Sequence, residues 1–297
     1  MRKTFPRVLL VVLSLVSICA MILLAGSAAA DRRGSTRLAA AAKKGIAWHD
    51  CGKRLQCAQV RVPLNWASPH GPTISLAVIR YVPRPRARRI GSLFVNFGGP
   101  GVPGVSTLRA TPESLLDELS RGRFDVVSWD PRGTGESTHV RCFANDRAQA
   151  RFWGRDWSIP TTASASRSYA AKTVAFVKRC VAISGRLLAH VSTADTVRDL
   201  DYLRRLVGDH KLTYLGYSYG TVIGQTYANM FPRRVRAMVL DGVVDPVAFT
   251  TSVQASIASN IADTDRVFAK FLSLCQRAGR ARCALAGHGP VPVRVRR

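Results

Sequence analysis

The stretch from Leu212 to Met230 restricts the fold of this chain more than any other. Leu212-Thr213-Tyr214-Leu215 is a short apolar strand, Gly216-Tyr217-Ser218-Tyr219-Gly220 follows without a spacer, and Tyr219 to Met230 reads as a helix closed by Pro232. A strand that turns so sharply into a helix has no room for β-carbons on the flanks, and the two glycines of the G-x-S-x-G pattern remove them. The serine between them stands out on a strained corner. The first N–H groups of the helix point at whatever its hydroxyl attacks. Ser218 is therefore the candidate nucleophile, and the backbone N–H of Tyr219 a candidate oxyanion donor.

Three more apolar runs have the same build. Ser92–Asn96 runs into Phe97-Gly98-Gly99-Pro100-Gly101, Phe124–Trp129 into Asp130–Ser137, and Arg236–Leu240 into Asp241-Gly242. Continuous apolar strands with glycine-rich exits predict an α/β fold with a mostly parallel sheet covered on both faces. Thr196–Val207 predicts a covering helix, with Val197, Leu200, Leu203 and Leu206 on one side, Ser192 or Thr193 as its cap and Gly208 as its stop. Val60–Leu64 and Thr73–Val82 alternate, and predict antiparallel strands at the sheet's edge. Arg141–Leu188 is polar and partly helical, an excursion at the sheet's C-terminal edge. Val253–Leu274 reads as one or two helices, and Gly287–Arg297 has no period. Within the loop after the Ser92 strand, Gly99 is the candidate second oxyanion donor, because glycine lets bare backbone approach a substrate. Gly133-x-Gly135 has neither a third glycine at nucleotide-binding spacing nor a phosphate-binding lysine, which argues against a dinucleotide.

Both ends of the chain have a distinct composition. Arg2, Lys3 and Arg7 precede the apolar run Val8–Leu24, and Gly26-Ser27-Ala28-Ala29-Ala30 offers small residues for cleavage, so 1–30 reads as a signal peptide and the chain as secreted. Left uncleaved, the same run is close to membrane-spanning length, and that is the one membrane contact expected. Residues 31–47 read as a flexible leader. Six cysteines remain after the signal, and their order suggests the pairs 51–57, 142–180 and 275–283 out of the fifteen possible connectivities. No CxxC or His spacing suits zinc, and neither metal nor cofactor is expected. The charge is lopsided, with 44 Lys and Arg against 18 Asp and Glu, a formal +26. The arginines are spread along the chain without aromatic interleaving or a basic helix, which reads as compositional bias rather than a nucleic-acid site.

Four segments taken together resemble the secreted bacterial tripeptidyl aminopeptidases, relatives of the prolyl aminopeptidases among the α/β-hydrolases. They are Asn96–Gly101, Asp130–Ser137, Gly216–Thr221 and Leu240–Pro246, in that order. Trp48-x-x-Cys51, the Cys57–Pro63 stretch and the paired cysteines are similar too, so the resemblance covers roughly 45–285. It implies an α/β-hydrolase core over 48–246 and the start of a helical cap, with an irregular basic tail, over 247–297. It implies Ser218 as nucleophile, Tyr219 and Gly99 as oxyanion donors, and a short peptide or small acyl group as substrate. It also implies that the Asp and His of a triad follow on later strands, so that the fold looks incomplete at its C-terminal side and the chain inactive as it stands. A complementing C-terminal polypeptide is then an expected partner.

The remaining residues agree. In this fold the order is nucleophile, acid, histidine, and His288 is the one histidine after Ser218. It sits in a Gly/Pro-rich stretch with no strand to place it. His210 precedes the nucleophile strand and belongs at its far end, while His139 follows a strand exit. His49, His70 and His190 read as loop residues. Asp241 and Asp245 leave the neighbouring strand and are conceivable acids, although turn formation and capping explain them more simply. Glu136 is a further nearby carboxylate, and Asp130 and Arg132 read as braces for loops beside the pocket. The same machinery serves an esterase or lipase, and a non-catalytic exported binding protein is the remaining alternative.

Overall fold

The computed structural model describes residues 45–84, 89–154 and 160–286. The signal-like segment 1–30, the leader up to residue 44 and His288 lie outside those residues. Seven strands, β1 (His49–Gly52), β2 (Leu55–Pro63), β3 (Thr73–Tyr81), β4 (Gly91–Asn96), β5 (Phe124–Trp129), β6 (Leu212–Tyr217) and β7 (Val235–Asp241), form one sheet in the order β1-β2-β3-β5-β4-β6-β7. The four apolar runs are β4 to β7. They lie side by side and parallel.

The other pairings, β1 with β2, β2 with β3 and β3 with β5, are antiparallel. The sheet is therefore mixed, which corrects the expectation of a mostly parallel one. Connection length is the reason. Lys53-Arg54 and the Leu64–Pro72 loop are too short to return the chain to the end it left, so successive strands there must reverse. Strand β1 went unread because it is only four residues long, three of them exposed.

Neighbouring residues of the central strands divide between two layers, as the period of two requires. Phe94, Val127 and Tyr214 face one core, with Leu200 and Leu203 of helix α5 (Thr193–Leu206) and Ile223 and Tyr227 of helix α6 (Tyr219–Met230). Val95, Val126 and Leu215 face the other, with Val105 and Leu108 of helix α1 (Gly104–Ala110) and Leu116 of helix α2 (Glu113–Ser120). Ser192 caps α5 by accepting a hydrogen bond from Asp195 N at 3.1 Å. Strand β7 has a different character: among the described residues it pairs only with β6, and Val239 on it is 60% exposed.

The excursion after β5 is helical, with α3 (Asp146–Trp153) and α4 (Ala163–Leu188). Phe143, Phe152, Trp153 and Phe176 pack ring against ring beneath it. The three cysteine pairs are formed as their order suggested. Cys142–Cys180 joins the start of this excursion to α4 across a separation of 38 residues. By loop length its loss, as Cys142→Ala with Cys180→Ala, should cost roughly 4 kcal/mol. Urea unfolding of that variant against the oxidised parent measures it, and a cost below about 1 kcal/mol would mean the excursion is held by its aromatic packing instead.

The chain divides into two compact units, one through Val243 and one from Val244. The second holds α7 (Pro246–Thr251) and α8 (Val253–Ala278), so the run read as one or two helices is a single one. Cys275 of α8 bonds Cys283. No helix among the described residues is long and apolar enough to cross a membrane.

Candidate active site

Ser218 lies between the end of β6 and the start of α6 with φ 52° and ψ −120°, and its side chain is exposed. A non-glycine residue held there carries strain of about 1–3 kcal/mol. The surroundings enforce it. Ser218 N donates to Asp241 O on β7 at 2.9 Å, and Thr221 N donates to Ser218 O at 2.8 Å. The flanking glycines are required by close approach rather than by flexibility: a Cβ on Gly216 would stand 2.5 Å from Gly220 O, and one on Gly220 would stand 2.7 Å from Asn96 O.

The loop after β4 packs onto this corner. A Cβ on Gly98 would meet Tyr217 O at 2.5 Å, Ser218 Cβ at 3.0 Å and Tyr219 N at 3.2 Å. Gly98 N donates to Asn96 Oδ1 at 3.0 Å, which fixes the loop by an Asx turn and leaves Gly99 as the next residue with an N–H to offer. Sequence reasoning passed over Asn96 and Gly98, although the N-x-G spacing at a strand exit was the available signal. Gly98→Ala should lower stability by roughly 2 kcal/mol or more, since it combines a backbone clash with φ 87°. A melting temperature within a degree or two of the parent would contradict this packing.

Two braces hold the loops around the corner. The Asp130 carboxylate accepts from Val105 N at 2.7 Å and Glu136 N at 2.6 Å, tying the start of α1 to the loop after β5. Burial raises its pKa, and the two N–H donors oppose that. Arg132 is wholly buried against Asp199 of α5, with Nε to Oδ2 and Nη2 to Oδ1 both 2.7 Å. The guanidinium also donates to the carbonyls of Pro63, Leu64 and His190, and Trp66 Nε1 donates to Asp199 Oδ1. Burial pushes the Asp199 carboxyl up to about 6 against the pull of Arg132 and Trp66. The Tyr219 hydroxyl meets Thr193 Oγ1 at 2.7 Å, which ties the first residue of α6 to the first of α5.

Three of the other candidates have structural partners. Asp245 caps α7, accepting from Val247 N and Ala248 N. Glu136 pairs with Arg109 at 3.1 Å. His139 Nδ1 lies 3.3 Å from Ser137 O. His210 stands before β6, at the opposite end of that strand from Ser218. Asp241 ends β7 beside Ser218, and its negative charge adds to the burial that raises the Tyr217 phenol. No histidine ring is hydrogen-bonded to the Ser218 hydroxyl among the described residues, and no group of His, Cys, Asp or Glu among them could hold a metal ion.

A serine on such a corner, with glycine backbone packed beside the first N–H of the following helix, defines a class. Residues 96–272 match the alpha/beta hydrolase fold family, and the chain belongs to it. Among curated relatives it is 36% identical over 241 residues to the tripeptidyl aminopeptidase of Streptomyces coelicolor, covering 78% of this chain and 44% of the relative. It is 43% identical over 197 residues to the serine protease Hip1 of Mycobacterium tuberculosis, covering 65% and 36%. It is 34% identical over 268 residues to the carboxylesterase B of Mycobacterium tuberculosis, covering 86% and 50%. The chain thus spans half or less of the length of these relatives.

Proposed function

We propose that this chain carries the nucleophile half of an exported serine hydrolase that releases short peptides from free N-termini. The observation that carries the reading is the exposed Ser218 at φ 52°, with the Gly98 backbone packed against Tyr219 N. In the reaction, Ser218 Oγ attacks the scissile carbonyl carbon and loses its proton to a base. The N–H groups of Tyr219 and Gly99 hold the resulting oxyanion. The C–N bond then breaks as the proton passes to the leaving amine, and water releases the peptide from the acyl-enzyme. The base and its orienting acid lie outside the described residues, on a polypeptide that completes the sheet beyond β7. Residues 1–30 act as the export signal, 31–47 as a leader, and 247–297 as the start of a helical cap with a basic tail.

The peptidase relatives favour a peptide substrate, and the carboxylesterase relative supports a second reading in which a small ester is cut. The test uses protein purified from its host together with any polypeptide that stays bound. Hydrolysis is compared on a tripeptidyl anilide, its N-acetylated form and a short acyl ester. Preference for the free N-terminus supports the aminopeptidase. Equal or better cleavage of the acetylated peptide would sink it, and turnover confined to the ester would leave the esterase.

A further inference from the structure

The four parallel strands all begin at one end of the sheet, opposite the end that carries Ser218. Basic residues stand at the start of every one. Arg89 precedes β4, Arg121 and Arg123 precede β5, and Lys211 precedes β6. Arg233 and Arg234 precede β7, which has Arg236 as its second residue. All of them are exposed. In the sequence these cations are scattered, but parallel pairing in the order β5-β4-β6-β7 sets them in one row, with neighbouring strands about 4.8 Å apart.

The carboxylates at this end do not neutralise the row. Asp125 is buried and takes Arg89 Nε at 2.9 Å. Asp201, also buried, is shared by Arg204, Arg205 and Arg234. Asp209 accepts from Ser92 N and borders Arg236 across Gly91. Glu118, in the last turn of α2, is exposed. Arg121, Arg123, Lys211 and Arg233 make no ion pair among the described residues.

Two further observations say what this surface meets. Ile90 lies within the row and is 43% exposed, an apolar side chain framed by cations. The described chain enters the fold at the same end: a Cβ on Gly45 would stand 3.6 Å from Leu206 O, at the C-terminus of α5. Upstream of Gly45 the sequence carries Lys43-Lys44 and the apolar run Val8–Leu24. A nucleic acid would ask for stacking rings. The nearest rings, Phe124 and Phe231, are only partly exposed, under Arg236 and Arg234.

We propose that the end of the sheet where β4 to β7 begin docks on the anionic headgroups of a phospholipid membrane, holding the Ser218 end away from the bilayer. The row acts as a polybasic surface, and Ile90 enters the headgroup layer.

The test measures partition of the full chain onto phosphatidylcholine vesicles and onto vesicles with about 30 mol% phosphatidylglycerol. Binding should be about tenfold or more tighter on the anionic vesicles. It should fall towards the neutral-vesicle level in about 1 M salt, where the screening length is about 3 Å. Lys211→Glu with Arg233→Glu should remove most of the difference. Arg151→Glu with Lys178→Glu, exposed on α3 and α4, makes the same change of net charge elsewhere and should leave it. Circular dichroism of both variants confirms that they fold, and if the first does not, Lys211→Gln with Arg233→Gln replaces it. Equal binding to both vesicle types would overturn the proposal, because the apolar run would then be acting alone. So would equal loss in the two charge-reversed variants, which would leave only overall charge. Tighter binding to a single-stranded oligonucleotide that displaces the chain from vesicles would reassign the surface to nucleic acid.

Discussion

With the base supplied by another polypeptide, as proposed, residues 1–297 alone should hydrolyse a tripeptidyl anilide about 10⁶-fold more slowly than a hydrolase with an intact triad. Ser218→Ala should change that residual rate less than about twofold, because triad members act as a unit and removing a second costs little once the first is missing. The physical basis is the poor nucleophilicity of a hydroxyl with no acceptor for its proton. No imidazole is bonded to Ser218 among the described residues, although the strained corner and its N–H groups are in place. A stopped assay at high enzyme concentration, parent against variant, decides the matter. A loss of a thousandfold or more in the variant would mean that a base already serves Ser218 within these residues.

Arg132→Ala should destabilise the chain by about 3–5 kcal/mol, because it strands the Asp199 carboxylate in the core without its counter-charge. Asp199→Ala should cost a similar amount from the other side, leaving a wholly buried guanidinium with only carbonyl partners. Against a total stability of about 5–15 kcal/mol either loss approaches unfolding. The pair holds together the exit of β2, the loop after β5 and helix α5, so these should loosen as one. Equilibrium urea unfolding gives the magnitude. The double change Arg132→Met with Asp199→Leu should recover much of the loss, since well-packed apolar side chains can replace a buried ion pair. Single variants that unfold within about 1 kcal/mol of the parent would show that the pair contributes little beyond its burial.

The parts legible in the sequence were those written in adjacent residues. The nucleophile corner, the four apolar strands, the α5 stripe and the cysteine pairs each declare themselves within a short window or by simple order. The mixed sheet was harder, since β3 pairs with β5 across an intervening strand and no local pattern announces that. The contact of Gly98 with Tyr219 N and the Arg132–Asp199–Trp66 cluster depend on residues 67 to 133 positions apart, brought together only by the fold. The basic row shows the same effect most clearly. Arg123, Lys211 and Arg233 look like compositional drift in the sequence, yet they share one property that topology turns into proximity, for each stands just before a parallel strand.

Strand β7 runs level with β6, Gly216 opposite Leu240 and Tyr217 opposite Asp241, and its outer edge has no strand beside it among the described residues. Any incoming strand that aligned with it would finish at the height of Ser218 without further instruction, because ladder spacing propagates from one member to the next. A side chain leaving the tip of such a newcomer would start in the same plane as the hydroxyl. Assembly and chemical alignment would then be a single event, governed by the same row of backbone bonds.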